Sequence, residues 1–306
     1  MPVPTTFDTV AVIGNGIIGH GVAQVYAVAG KDAVLVGRND ESLARAVENI
    51  RASLADFTRH GLVTEDEAAA ALGRIRTTTD LAAAAGAQLV VEAVTHDMDL
   101  KRQLFGELDR ICAPPAVLAS TSGSPASEVH EHVGHRERVI AMHFWYPPQL
   151  IPVVEVCGSP ATGPDVVAWA CDAVRACGKK PAVIEREIPG FIGNRLQFAL
   201  LREAWALWAS GAATAESIDA CVRLTIGRRL GVTGPIESAD IAGLSTMLAF
   251  AEGLQPHLDT APQPPRAIGD VARRGGIYDW EKRDAAALRA ARTEELFRWL
   301  AVDRGS

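Results

Sequence analysis

The sequence predicts an α/β domain followed by an all-α domain. Three observations carry that reading. Short β-rich apolar runs alternate with helical patterns from Phe7 to Glu185, as they do when crossover helices join the strands of a parallel sheet. A glycine-rich turn, Gly14-Asn15-Gly16-Ile17-Ile18-Gly19, stands between the first such run and the first helical pattern. From Gly190 onward no convincing strand remains and amphipathic helices take over. The expected organisation is a Rossmann-like N-terminal domain with an inserted helical hairpin over residues 1–188, then a helical domain over 189–306.

The opening run Phe7–Ile13 is a strand, and the G-x-G-x-x-G that follows starts a helix reaching about Ala29. A strand before and a helix after give that motif its weight. Gly14 permits the tight turn, Gly16 lets the backbone approach a pyrophosphate, and Gly19 lets the helix pack close on the strand. Asn15, Ile17 and Ile18 complete the phosphate-binding turn at the positive end of the helix; the bland alternative is a glycine-rich turn with no ligand. The second strand, Ala33–Val36, ends in Gly37-Arg38. An acidic residue there selects the ribose of NAD, and a nearby Arg accommodates the 2′-phosphate of NADP. Gly37 with Arg38 therefore favours NADP(H) over NAD(H), unless Arg38 only stacks on adenine and Asp40 takes the ribose.

Leu43, Val47, Ile50, Leu54 and Phe57 recur at helical spacing up to about His60. Thr64-Glu65-Asp66-Glu67 is a capping box opening a second, Ala-rich helix. These two helices make the inserted hairpin. Thr77–Asp80 and a short helix lead to a strand at Gln88–Val91, and further strands are expected at Val117–Ala119 and Pro181–Glu185. Helices are expected from about Asp97 to Cys112, with Leu100, Leu104, Phe105 and Leu108 on one face, and at Val166–Cys177. Beyond the boundary the helices are Phe191–Ser210, Ala215–Arg223, Ile236–Glu252, Arg266–Arg273 and Asp284–Ala301, with a Pro-rich loop near Pro256–Pro265.

Composition narrows the partners. With 30 Lys and Arg against 37 Asp and Glu the net charge is −7, which leaves no basic stripe for nucleic acid. No apolar run approaches the ~20 residues of a membrane span. Five cysteines without a C-x-x-C pair read as reduced thiols of a cytoplasmic protein. His130, His132 and His135 lie close together, but their spacing matches no helical metal-ligand pair, and no metal is expected.

The chemistry points to Val139–Val156. Two apolar runs flank the turn Trp145-Tyr146-Pro147-Pro148, and His143 and Glu155 fit badly in buried strands. A carboxylate on one ring nitrogen fixes the imidazole tautomer and suits the other nitrogen to general acid–base work. The alternative is a satisfied core histidine. Ser120-Thr121-Ser122 follows a strand at the end that lines the ligand crevice of a parallel sheet, so a hydroxyl there, Ser122 included, reaches substrate or nicotinamide, or else serves as a helix cap.

These pieces resemble the 3-hydroxyacyl-CoA dehydrogenase family along nearly the whole chain. The markers are G14-N-G-I-I-G19 with A23-Q24; E92-A-V with Lys101 and Phe105; S120-T-S122; H143-F with Pro147; V153-V-E155-V; P189-G-F-I-G-N-R195; Glu203; I218-D219; and G234-P-I-E-S-A-D240. The resemblance implies hydride transfer between a nicotinamide cofactor and a 3-hydroxyacyl or 3-oxoacyl substrate, with His143 as acid–base and Glu155 as its orienting carboxylate. It implies that Ser122 and Asn194 bind the substrate oxygen, with a helix cap as the structural alternative for Asn194. Lys101 falls near the cofactor ribose, and Glu92, His96 and Tyr146 fall at cofactor-side positions. It also implies a homodimer through the helical domain.

Departures matter too. Tyr146 stands where the family has Asn, His96 where it has an acid, and Gly37 where it has the strand-end acid; the loop near Gly275–Trp280 is shortened. Ser53 matches a CoA contact, but the next position, a Lys in the family, is His60 with Arg59 beside it. The carrier is therefore open: a CoA thioester, a carrier-protein-bound acyl group or a free 3-hydroxy acid. A catalytically silent cofactor-binding protein is the alternative of a different class.

Overall fold

The computed structural model describes residues 2–305. The chain forms two compact units, Met1–Ile192 together with Ala291–Ser306, and Gly193–Ala290.

In the first unit the strands are β1 (Thr9–Ile13), β2 (Asp32–Val36), β3 (Ile75–Thr78), β4 (Leu89–Glu92), β5 (Val117–Ser120), β6 (Val139–Phe144), β7 (Val153–Gly158) and β8 (Lys180–Ile184). They make one sheet in the order β3-β2-β1-β4-β5-β6-β7-β8. Every pairing is parallel except β6 with β7. Chain order reverses beside β1, where Ile13 pairs with Glu92, and ligands of open α/β sheets bind at such a switch point.

Both sheet faces are covered, which explains strands that read as near-continuous apolar runs. On one face Val10, Val12, Leu35 and Val91 pack with Val22 and Tyr26 of α1 (Gly19–Val28) and with Leu43 and Ile50 of α2 (Asp40–Arg59). On the other face Ala11, Val34, Val90 and Leu118 pack with Phe105 and Leu108 of α4 (Met98–Ile111), which follows α3 (Glu65–Gly73). α5 (Pro164–Ala176) covers β7 and β8. The hairpin α2–α3 stands between β2 and β3 as expected, and Thr64 with Glu67 forms the capping box.

Two local expectations need correction. In α4 the inward residue is Lys101, and Leu100 is 44% exposed; an ion pair draws the lysine inside and turns the helix face. The reading of one helix over Ile236–Glu252 gives way to α9 (Pro235–Ile241) and α10 (Leu244–Leu254), because Gly243 between them has φ +94°, a conformation that suits glycine and ends a helix.

The second unit also contains α6 (Gly193–Ala209), α7 (Ala215–Leu224), α8 (Ile226–Leu230) and α11 (Arg266–Ala272). The expected helical domain to residue 306 ends earlier. The last helix, α12 (Ala285–Arg304), buries Phe297 and Leu300 with Phe57, Val63 and Leu150 of the first unit. The rings of Phe57 and Phe297 meet edge to face, 5.3 Å apart, so the chain from Ala291 belongs with the sheet unit.

Candidate active site

The glycine turn is built as its spacing predicts. Gly14 has φ +106°, and a Cβ there would lie 2.5 Å from the Ala93 carbonyl oxygen. A Cβ on Gly19 would lie 1.8 Å from the Gly14 oxygen, so both positions exclude any side chain. Gly16 differs: nothing of the protein lies within 4 Å of where its Cβ would be. The first turn of α1 has no capping side chain and no acidic residue, which leaves its partial positive charge for an anion. These residues fit a dinucleotide pyrophosphate.

His20, just inside α1, places Nδ1 2.7 Å from the Gly16 oxygen, and burial lowers its pKa despite that carbonyl's opposing pull.

Gly37 is also enforced by packing. A Cβ there would lie 2.7 Å from Leu43 Cδ2 and 2.9 Å from Asn15 Cγ. Arg38 beside it is exposed.

Glu92 and Lys101 are sealed together at the carboxyl end of β4. Lys101 Nζ donates to Glu92 Oε1 at 2.6 Å, with side chains only 2% and 0% exposed. Glu92 also accepts from Val94 N at 2.7 Å and from Ser120 Oγ at 2.7 Å. Ser120 Oγ in turn accepts from Ser122 N at 3.2 Å. The expected cofactor-side pair thus acts from inside, tying β4, β5 and α4 beneath the crevice. Ser122 is buried, and its oxygen accepts from Ser124 N at 3.3 Å. Its hydroxyl proton is left to donate.

His143 and Glu155 are direct cross-strand partners in the antiparallel pair β6–β7. His143 Nδ1 lies 2.7 Å from Glu155 Oε2. A carboxylate accepts only, so Nδ1 carries the proton and Nε2 is the free acceptor. Trp145 Nε1 donates to the same Oε2 at 3.1 Å, and Ile192 N donates to Oε1 at 2.9 Å. The imidazole lies between Trp145 and Phe191, with ring centroids at 5.3 and 5.9 Å. Phe191 is fully buried at φ +50°. Its neighbour Gly190 donates to the Gly123 oxygen at 3.0 Å, so one turn braces both the His–Glu pair and the Ser122 loop.

Trp145 was not among the residues singled out from sequence, although strand parity offered the signal: residues 143 and 145 share one face of an extended chain. Ile192 acts through its backbone, which no residue type announces. Tyr146 and His96 are exposed. Asn194 is half-buried in the first turn of α6, in the second unit.

Ser53 and Arg59 lie on α2; Arg59 and Arg51 flank a groove of about 500 Å³ between α2 and α3, and Ser53 does not line it. Arg59 is already engaged, 2.9 Å from Asp56 and 3.3 Å from Glu294 of α12. His60 Nε2 lies 3.3 Å from the same Glu294, and the His60 ring stacks on Phe297 at 4.1 Å.

Residues 9–188 match the 3-hydroxyacyl-CoA dehydrogenase NAD binding domain, and residues 190–275 match the 3-hydroxyacyl-CoA dehydrogenase C-terminal domain. The chain belongs to the 3-hydroxyacyl-CoA dehydrogenase family. It is thereby an NAD-dependent type of dehydrogenase acting on a CH–OH group. Among relatives, the 5-formyl-3-hydroxy-2-methylpyridine 4-carboxylate 5-dehydrogenase of Mesorhizobium japonicum is 30% identical over 297 residues, covering 94% of this chain and 95% of the relative. The solved structure of a dehydrogenase with that substrate, described as an NAD+ dependent dismutase, overlays with TM-score 0.90 at 27% identity, covering 98% and 99% of the two chains. The (S)-3-hydroxybutyryl-CoA dehydrogenase of Ralstonia eutropha overlays with TM-score 0.74 at 28% identity, covering 89% and 99%. The proteins that this chain resembles thus carry names with and without a CoA carrier.

Proposed function

We propose that this dehydrogenase interconverts a 3-hydroxyacyl and a 3-oxoacyl substrate, His143 serving as the acid–base and Glu155 as its orienting carboxylate. The observation that carries the reading is the 2.7 Å bond from His143 Nδ1 to a carboxylate held by two further donors. It fixes the tautomer so that Nε2 takes the hydroxyl proton during oxidation and returns it during reduction. The bound nicotinamide supplies the hydride acceptor or donor. Ser122, whose hydroxyl proton is bonded to none of the described residues, donates to the substrate oxygen; such a donor stabilises the charge that develops there. Buried Glu92 and Lys101 hold the floor on which the Ser122 loop rests.

For the carrier, CoA follows from the family, and the groove between α2 and α3 offers Arg51 to it. A second reading, a free hydroxy acid or another small carboxylate, is favoured by a specific observation: the carboxylates of Asp56 and Glu294 already occupy Arg59. For the cofactor, Gly37 puts no carboxylate at the end of β2, and exposed Arg38 favours the 2′-phosphate of NADP(H). The helical unit supports a homodimer, because no residue from α6 to α11 is buried and Val232, Ile236 and Ile241 are 83%, 84% and 78% exposed. Sedimentation giving a monomer at micromolar concentration would reject that state.

One experiment tests substrate and cofactor together. Turnover with NADH and NADPH is measured on acetoacetyl-CoA, other short 3-oxoacyl thioesters and the matching free acids. Vigorous thioester turnover eliminates the free-acid reading. Equal or reversed preference for the two cofactors eliminates the reading of Arg38.

A further inference from the structure

A second polar site lies apart from the His–Glu pair. A small cavity of about 30 Å³ is lined by Gln24 of α1, Gln149 of the loop between β6 and β7, Lys179, and Arg304 in the last turn of α12. Its size admits a few water-sized groups. Gln24 is 1% exposed, yet neither its Nε2 nor its Oε1 has a hydrogen-bond partner; buried Gln149 Oε1 has none either. Lys179 is 6% exposed and donates to the Ile151 carbonyl oxygen at 2.6 Å. Arg304, at the rim, donates to the Leu62 carbonyl oxygen at 3.2 Å. Among the described residues no carboxylate pairs with either cation: adjacent Asp303 lies 3.7 Å from Lys180 instead. Buried charges are ordinarily paired, and buried amides ordinarily bonded. Here both conditions fail around one cavity.

The donors and acceptors left over define what fits. Two ammonium hydrogens of Lys179, the remaining guanidinium hydrogens of Arg304 and the amide of Gln24 call for negative oxygen. Gln24 Oε1 and Gln149 Oε1 call for a donor. We infer that the cavity binds a small oxyanion that keeps one O–H, of the size and chemistry of hydrogencarbonate. Its negative oxygens face Lys179 and Arg304, and its hydroxyl donates to a glutamine oxygen. Burial pulls the Lys179 ammonium down to about 8, a nearby Arg304 charge adding to the effect. An anion that needs the protonated lysine loses affinity as pH rises through that value.

The test is a thermal-shift and calorimetric titration of the full chain at constant pH and ionic strength. Hydrogencarbonate, formate (an oxyanion without O–H) and chloride are compared. The expected result is a saturable rise in melting temperature with hydrogencarbonate, a smaller rise with formate and none with chloride. Lys179→Met should abolish the hydrogencarbonate response and Gln24→Leu weaken it several-fold. A chloride response equal to that of hydrogencarbonate overturns the proposal, as does an unchanged response in the variants. If Lys179→Met does not fold, Gln24→Leu and the pH dependence of the wild-type titration decide: affinity that stays flat from pH 7 to pH 9 also overturns it.

Discussion

Glu92 and Glu155 are two buried carboxylates built to one plan. Each lies on a strand of the same sheet, and each is held by a side-chain cation or imidazole, a second side-chain donor and a backbone N–H. For Glu92 these are Lys101, Ser120 and Val94; for Glu155 they are His143, Trp145 and Ile192. The difference is in what the carboxylate holds. Lys101 ends at its ammonium and is sealed, 2% exposed, whereas the His143 side chain is 12% exposed and has a second nitrogen to offer. The same clamp is a rivet in one place and a proton-transfer group in the other. A buried pair becomes chemistry only when its positive member has a second face.

The largest effect expected from breaking this comparison is on activity. His143→Asn keeps a polar group of similar shape but no titratable nitrogen, and kcat should fall about 10²–10⁴-fold, with little change in melting temperature. Steady-state rates and a thermal melt on one preparation check both halves. Retained turnover would remove His143 from the proton path.

Lys101→Met should reverse the pattern. It leaves Glu92 buried without its counter-charge, and breaking a buried pair in this way costs about 3–5 kcal/mol. Denaturant unfolding measures the loss. A stability cost below about 1 kcal/mol would show that Glu92 is not dependent on its lysine, on the scale typical of exposed pairs. Cofactor affinity should weaken only as far as the crevice floor loosens.

How much of this was legible in the sequence follows the same division. The sheet and its helices could be read because both faces of the central strands are apolar and because Gly14, Thr64 and Glu67 have local, backbone-driven roles. The pairing of His143 with Glu155 could be read because a short turn sets strands side by side. The inner face of α4 is harder to read: the apolar pattern puts Leu100 on it, and the ion pair of Lys101 with Glu92, on the preceding strand, turns the lysine in instead. Helix α12 is hidden for a different reason. Nothing within Ala285–Arg304 announces that Phe297 will meet Phe57 and Glu294 will meet Arg59. Periodicity reports local structure, and these contacts are set by elements far apart in the chain.

Trp145 sharpens the comparison from the catalytic side. Its indole N–H is the counterpart of the Ser120 hydroxyl, the second donor that stops the carboxylate rotating. Trp145→Phe keeps the ring against His143 and removes that donor. One hydrogen bond to a charged group contributes about 1.5–3 kcal/mol at most; because His143 and Ile192 still hold Glu155, kcat should fall about 3–10-fold while KM stays near its wild-type value. A change confined to KM would place Trp145 in substrate binding instead.

The smallest effect compares two buried lysines, Lys101 with its carboxylate and Lys179 without one. Burial lowers the Lys179 pKa from 10.5 to about 8, so the unfolded chain holds this proton over a window in which the folded chain has released it. Stability therefore rises with pH between about 8 and 10.5, and below 8 the cost of the buried charge is fully present. The cysteines act in the opposite sense. Burial raises Cys112, Cys157 and Cys177 to about 11 from 9.0, so their contribution is lost as pH climbs through about 9 to 11. The cysteines are common to wild type and Lys179→Met, so the difference between the two chains from pH 8 to pH 9 isolates the lysine. Over it, wild type should gain about 1 kcal/mol relative to Lys179→Met, since one proton taken up or released is worth up to about 1.4 kcal/mol per pH unit. Paired urea melts in a buffer free of small oxyanions measure the difference. Equal slopes would mean that Lys179 has found a counter-charge after all, and the two lysines would then be alike.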